Sequence, residues 1–192
     1  MEKKKVAFIV AIPGTADAFL KEHFVYLLKE YEVHLIANYE GSEDLKKEFE
    51  KMRVICHQAP IVRKINLKSD LKALFVVKKI FKLGKFECVH SVTPKAGFLT
   101  ALAGKFAGVP NRVHIFTGQV WATRRGGVRM MLKMMDKMIA MLDTRLLVDG
   151  EGQRQFLIKE GVLSEKNSIV PANGSIAGIK LEKFVISKEV RK

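Results

Sequence analysis

Cysteine is almost missing from this chain. Only Cys56 and Cys88 stand among its 192 residues, too few for a disulfide framework or for zinc-ligand spacing. Both fall in apparent strands, where a small side chain packs well, and a reduced, cytosolic setting fits. Long apolar runs are missing too. Nothing approaches the ~18 uninterrupted apolar residues of a spanning helix, so any membrane contact is expected to be peripheral. The start, Met1-Glu2-Lys3-Lys4-Lys5 followed by the apolar run Val6 to Ile12, superficially resembles a secretory leader. That run is too short, Pro13-Gly14 reads as a strand-ending turn, and no small-residue cleavage site follows. A first β-strand is expected instead. Acidic residues are scarce: 20 Asp and Glu face 34 Lys and Arg, for a net charge of +14 and a pI near 9.8. Such an excess implies an anionic partner. With no recognition-helix or RNA-binding signature, nucleic acid is not expected. Phosphorylated substrates or anionic lipid headgroups remain. No general-base constellation, no pair of carboxylates on one face and no metal spacing is present.

What is present is regular alternation. Hydrophobic residues make up 48% of the chain, and its length suits one α/β domain with a real core. Strands are expected at Val6–Ile12, Val33–Ala37, Val54–His57, Glu87–His90, Arg112–Phe116, Arg145–Val148 and Ser168–Val170. Helices are expected at Ala16–Lys29, from Ser42 to Lys51, and at Leu67–Leu83, Pro94–Ala107, Val128–Leu142 and Glu151–Glu160. Strand alternating with helix in this way predicts an α/β fold: a doubly wound parallel sheet with helices on both faces. Residues 1–175 form that Rossmann-like domain, and residues 176–192 read as the start of a linker.

In such a fold, ligands sit on the loops at the carboxyl ends of the strands. After the first strand, Gly14 and Thr15 open a helix whose free amides could meet an anion, although a plain tight turn fits equally. His90 ends the fourth strand, facing either the cleft or the core. Thr93-Pro94 is a good helix start, and Lys95 in the first turn opposes the helix dipole unless a phosphate binds there. The loop after the fifth strand is richest. Thr117 and Gln119, on either side of the flexible Gly118, can hydrogen-bond sugar hydroxyls, Trp121 has a flat apolar face, and Arg124 with Arg125 can grip a diphosphate. A mobile loop with a buried tryptophan is the alternative. Asn173, in the Asn-Gly-Ser turn after the last strand, suits a hinge or a ligand contact.

Two helices carry more apolar surface than a sheet needs. On Val128–Leu142, Arg129, Lys133 and Lys137, with Arg125 and Asp136, fill an arc of roughly 120°, and methionines and aliphatics fill about 200°. On the helix from Leu67, Lys68, Lys72, Lys79 and Lys82 share a stripe with Phe75. Both patterns suit either core packing with a solvated basic rim or docking on an anionic membrane surface.

The segments Val92-Thr93-Pro94-Lys95-Ala96-Gly97, His114 to Gly127 and Asn173-Gly174-Ser175 carry a resemblance. They are similar to a branch of the family 4 glycosyltransferases that builds capsular, lipopolysaccharide and related surface glycans. The resemblance implies a GT-B enzyme of two Rossmann-like halves, of which this chain covers the N-terminal, acceptor-side one. It further implies a retaining transfer at the cytoplasmic, inner face of the cell membrane. A nucleotide sugar is the donor co-substrate, a polyprenyl-diphosphate-linked glycan is the acceptor, and no cofactor or metal is needed. The donor contacts, including an acidic pair, belong to a C-terminal domain supplied in cis or in trans, so this half alone is expected not to turn over. Many members carry a histidine just after the fifth strand; here Thr117 stands there, and no catalytic residue follows for this half. The alternatives are a non-catalytic, membrane-docked subunit of a split transferase, and a nucleotide-sugar epimerase-like domain.

Overall fold

The computed structural model describes residues 3–62 and 66–178. Most of the expected linker, 179–192, and the first two residues lie outside that range. Seven strands form one sheet: β1 (Lys4–Ile9), β2 (Tyr31–Ala37), β3 (Ile55–Gln58), β4 (Cys88–Ser91), β5 (Asn111–Phe116), β6 (Arg145–Val148) and β7 (Ser168–Ile169). Their order is β3-β2-β1-β4-β5-β6-β7, and every neighbouring pair is parallel. The expected doubly wound sheet is present. The winding reverses between β1 and β4, which opens the crevice where such sheets bind ligands.

Helices α1 (Pro13–Phe19), α2 (Lys21–Leu27) and α3 (Glu43–Lys51) connect the strands on one side of that crevice. They bury Ala16, Leu20, Phe24 and Phe49 against Val6, Phe8 and Val10. On the opposite face, α4 (Leu67–Gly84) and α5 (Pro94–Ala107) cover Ala7, Ile9 and Val89 with Ala73, Val77, Phe81 and Leu99. Beyond them, α6 (Gly126–Leu142) and α7 (Glu151–Lys159) close over Phe116, Leu146 and Val148. Alternate residues of one strand, such as Val6 and Ala7, thus enter different cores, which is why the strands read as continuous apolar runs.

The sequence reading needs correction at the first connection. Pro13-Gly14 is no turn. It forms the first turn of α1, with Pro13 at a position where the missing N–H costs nothing. The helix expected over Ala16–Lys29 is two helices with a bend at Leu20. Ala16, Leu20 and Phe24 are all buried, and the bend keeps this stripe, spaced every four residues, seated on a twisted sheet.

Helix α5 lies unusually close to the sheet. A Cβ placed on Gly97 would meet the His114 ring at 2.5 Å. His114 is buried, its Nδ1 lies 2.8 Å from Ser91 Oγ, and its edge meets Phe116. Burial pushes its pKa down to about 3, so the ring packs as a neutral group.

One half-buried acid sits just before β6. Both oxygens of Asp143 are enclosed without a hydrogen-bond partner. Burial raises its carboxyl to about 7, with the nearby Arg112 charge pulling the other way. A pKa above the unfolded value favours the folded state at acid pH, and that contribution is lost as pH rises through about 7. Asp143→Asn is therefore expected to gain on the wild type by about 2 kcal/mol between pH 5 and pH 9. Urea melts at the two pH values measure it, and a difference independent of pH would refute it.

Candidate functional site

A parallel sheet places the carboxyl ends of all its strands along one edge. Gly14 and Thr15 therefore stand beyond β1, Lys95 beyond β4, and the 117–125 loop beyond β5. Asn173 follows β7 along that edge. His90 lies within β4, one residue from its end. The expected residues share one rim, and their environments differ sharply.

At the crevice, His90 packs tilted against Phe8, with ring centroids 5.1 Å apart, and its Nε2 is buried without a partner. Burial, helped by nearby His23, lowers its pKa to about 4. It is a neutral ring near physiological pH. Lys95 is neither solvated nor offered to an anion, because its ammonium is 2.6 Å from Asp70 Oδ1 on α4. That pair is partly buried, and it removes much of the conflict between the lysine and the α5 dipole. Thr93 precedes α5 without capping it, and its Oγ1 is buried and unpartnered.

The loop after β5 is organised around its tryptophan. Within residues 117–125 only Gln119 and Trp121 turn inward; Thr117, Gly118, Arg124 and Arg125 are exposed. Trp121 is 1% exposed, so it offers no face to a sugar. Its indole stacks on Phe156 of α7 at 5.4 Å and donates its N–H to Asp136 Oδ2 at 2.7 Å. Arg129 and Lys133 lie over the ring at 5.2 and 5.6 Å, and both pair with Glu160. The Gln119 amide oxygen accepts from Gln153, while its own nitrogen is buried and unpartnered. Backbone bonds from Ala122 to Gln119 and from Arg124 to Trp121 tighten the turn.

This overturns the expected orientation of α6. The arc of Arg129, Lys133 and Asp136 faces inward, onto Trp121 and the end of α7. Asp136 is buried, and burial raises its carboxyl to about 6 against the pull of the indole N–H. Much of the methionine arc faces out instead, with Met130 at 70% and Met141 at 82% exposure, while Ile139 of the apolar arc stays in the core. At its start α6 has Arg125 at the N-cap, no capping side chain and no acid in the first turn. Free amides, two exposed arginines and an apolar flank therefore adjoin one another.

The far end of the rim is tied down by residues the sequence did not single out. Asp149, directly after β6, accepts from Ser175 N through its carbonyl and from Ile176 N through its carboxylate. His23 on α2 donates to the Ile176 carbonyl at 2.6 Å. Gly174 has φ +86° and would drive a Cβ to 2.7 Å from the Asp149 carbonyl. The expected glycine turn is thus real, and Asn173 is left exposed. The only sequence signal for these ties was an acid following a strand. Among the described residues no cluster of His, Cys, Asp and Glu could hold a metal ion.

The architecture is one Rossmann-like half of a GT-B fold. Solved structures that share it include a glycosyltransferase from Rickettsia africae (TM-score 0.68, 17% identical, 99% of this chain and 48% of that one). Anabaena HepE, solved with UDP-glucose, matches with TM-score 0.69 and 11% identity over 96% of this chain and 47% of that one. The UDP-N-acetylglucosamine 2-epimerase of Rickettsia bellii matches as well (0.67, 18%, 99% and 51%). Fold alone therefore does not divide transferase from epimerase.

Sequence relatives point to one of them. The chain is 28% identical over 95% of its length to the UDP-Gal:alpha-D-GlcNAc-diphosphoundecaprenol alpha-1,3-galactosyltransferase of Escherichia coli, covering 46% of that protein. It is 27% identical over 96% of its length to the capsular polysaccharide biosynthesis glycosyltransferase CapM of Staphylococcus aureus, covering 47%. No protein-family model matches. The chain is similar to the glycosyltransferases of surface-polysaccharide biosynthesis. It spans about half the length of these curated relatives, which fits the N-terminal half of such an enzyme.

Proposed function

We propose that this chain is the acceptor-side half of a retaining family 4 glycosyltransferase that moves a sugar from a nucleotide sugar to a polyprenyl-diphosphate-linked glycan. The observation that carries the reading is the start of α6. There Arg124 and Arg125 stand exposed beside uncapped helix amides, next to the outward methionine arc. A diphosphate needs fixed positive charge and N–H donors, and its prenyl chain needs apolar surface. Both lie within one helix length. The Escherichia coli relative, named for a diphosphoundecaprenol acceptor, supports the same chemistry. Thr117, Gly118, Gln119 and Asn173 remain proposed contacts along the rim, as do Gly14, Thr15 and His90. Lys95 acts there through its pair with Asp70, and Trp121 as an anchor. The donor domain, in cis or in trans, supplies the rest, so the 192-residue chain alone is expected not to turn over.

Charge distribution supports docking on an anionic membrane. Helices α4–α6 carry ten lysines and arginines against two aspartates, of which Lys95, Arg129 and Lys133 are taken up in internal pairs and seven are left for a surface role, whereas α1–α3 carry four against six acids. The basic layer also exposes Leu71 and Phe75 of α4. No described helix is long and apolar enough to cross a membrane, so contact through this layer is interfacial.

Vesicle sedimentation tests both points. Phosphatidylcholine vesicles doped with undecaprenyl diphosphate are expected to capture the chain. Arg124→Glu with Arg125→Glu should weaken capture about tenfold, more than it weakens capture by phosphatidylglycerol vesicles. Equal loss on both lipids would reduce the site to general electrostatics. The epimerase reading keeps one observation in its favour, the fold shared with the Rickettsia bellii enzyme. Free epimerised sugar nucleotide as the product of the complete enzyme would establish it and overturn transfer.

A further inference from the structure

An exposed loop binds well only if something inside the protein fixes it, since ordering it on binding costs affinity. Seven of the nine residues from Thr117 to Arg125 are exposed, and beyond two backbone bonds within the turn their side chains do little to hold the loop to the domain. The loop hangs on two inward side chains. Gln119 is held by Gln153 in a part-buried pair. Trp121 is the deep one, and its neighbours act differently upon it. Phe156, Arg129 and Lys133 meet the faces of the ring, contacts that tolerate sliding and rotation in the ring plane. Only the N–H bond to Asp136 Oδ2, at 2.7 Å, has a direction. A bond at the far end of a rigid indole fixes both the rotation of the ring and the place of its Cα.

We propose that Asp136 is the positioning residue of the Thr117–Arg125 loop, acting through the indole N–H of Trp121 to set where Gln119, Arg124 and Arg125 stand. This accounts for an acid buried in a methionine-rich helix. Residues 129, 133, 136 and 140 lie on one helical stripe, the stripe that faces the loop and α7. An apolar residue at 136 would pack there and leave the indole N–H without an acceptor. The helix that presents its N-terminus to the ligand therefore also carries, ten residues on from Gly126, the group that aligns the preceding loop with it. The role in binding rests on the reading of this loop as the acceptor-contacting one.

Trp121 is the only tryptophan of the chain, so its emission reports this contact directly. Asp136→Leu removes the acceptor, and Trp121→Phe keeps an aromatic ring while removing the donor. Asp136→Asn keeps an amide oxygen that accepts the same bond. Amide exchange of residues 118–125 is expected to speed up about tenfold in Asp136→Leu and in Trp121→Phe. In Asp136→Asn it should stay within about twofold of the wild type. Indole emission should shift to the red in Asp136→Leu and hold in Asp136→Asn. Affinity for farnesyl diphosphate, measured by calorimetry, should fall with loop order and recover in Asp136→Asn. Wild-type exchange in Trp121→Phe would overturn the proposal, because packing alone would then hold the loop. Failure of Asp136→Asn to restore order would overturn it too. If exchange and emission behave as expected but the wild type binds no prenyl diphosphate, the positioning role stands and the acceptor reading of the loop falls.

Discussion

Trp121→Ala is expected to destabilise the domain by about 3–5 kcal/mol, read as a lower urea midpoint with an unchanged slope, followed by circular dichroism. The ring is 1% exposed and stacked on Phe156, so truncation opens a cavity among Phe116, Ile139 and Leu157. It also strips Asp136 of its hydrogen-bond donor and leaves a buried carboxyl without a partner. Arg129 and Lys133 lose the surface they lie over. The same substitution separates two pictures of this loop. A tryptophan standing at the surface as a sugar platform would cost at most about 0.5 kcal/mol of stability on removal, while binding vanished. A stability loss below about 1 kcal/mol would contradict the buried position.

Gly97→Leu is expected to leave little soluble folded protein, and Gly97→Ala to cost roughly 2 kcal/mol. The reason is proximity, since the first added carbon lies 2.5 Å from His114 Cε1, 2.7 Å from its Nδ1 and 3.0 Å from Ile139 Cδ1. His114 has nowhere to retreat, being buried, bonded to Ser91 and edge-on to Phe116. Helix α5 must lift from the sheet, carrying Lys95 away from Asp70. Melting temperature and soluble yield measure the outcome, and a Gly97→Leu protein melting like the wild type would show that α5 is not seated this closely. The sequence of the Thr-Pro-Lys-Ala-Gly segment points to a ligand contact through Lys95. In the fold, Ala96 and Gly97 are its constrained members, because only small residues let α5 approach β4 and β5.

Much of the architecture was legible because periodicity and punctuation agreed. Helix α5 runs from Pro94 to Ala107 and β6 from Arg145 to Val148, as read from a proline start, a glycine stop and a short apolar run. The other strands differ from expectation by a few end residues. The first helix failed for a tertiary reason: its bend at Leu20 follows the twist of the sheet, which no local pattern encodes. Pro13-Gly14 failed because a proline-glycine pair marks both a turn and a helix start, and only the burial of Pro13 and Ala16 decides between them.

The candidate site was legible as a set of loops and not as a set of environments. Strand-end positions follow from alternation alone, so the sequence places Thr117, Gln119, Arg125 and Asn173 on one edge. Lys95 could not be known to face Asp70, a residue of the preceding helix. Nor could the sequence orient α6. A helical wheel shows two arcs, and the usual rule sends the charged arc outward. Here Trp121 from the loop and Phe156 and Glu160 from α7 and its C-cap form a pocket that suits Asp136, Arg129 and Lys133. Four of the six methionines of α6 are left outside.

By itself, then, the order of residues determined the alternation of elements, the parallel sheet and the excess of positive charge. Each of these depends on neighbours a few positions apart or on simple sums. Which face of each element meets what was decided only on folding, because a side chain's partner comes from a distant segment and burial belongs to the assembled whole. That is why a surface-looking tryptophan became the anchor of its loop, and an acid among methionines its counterpart.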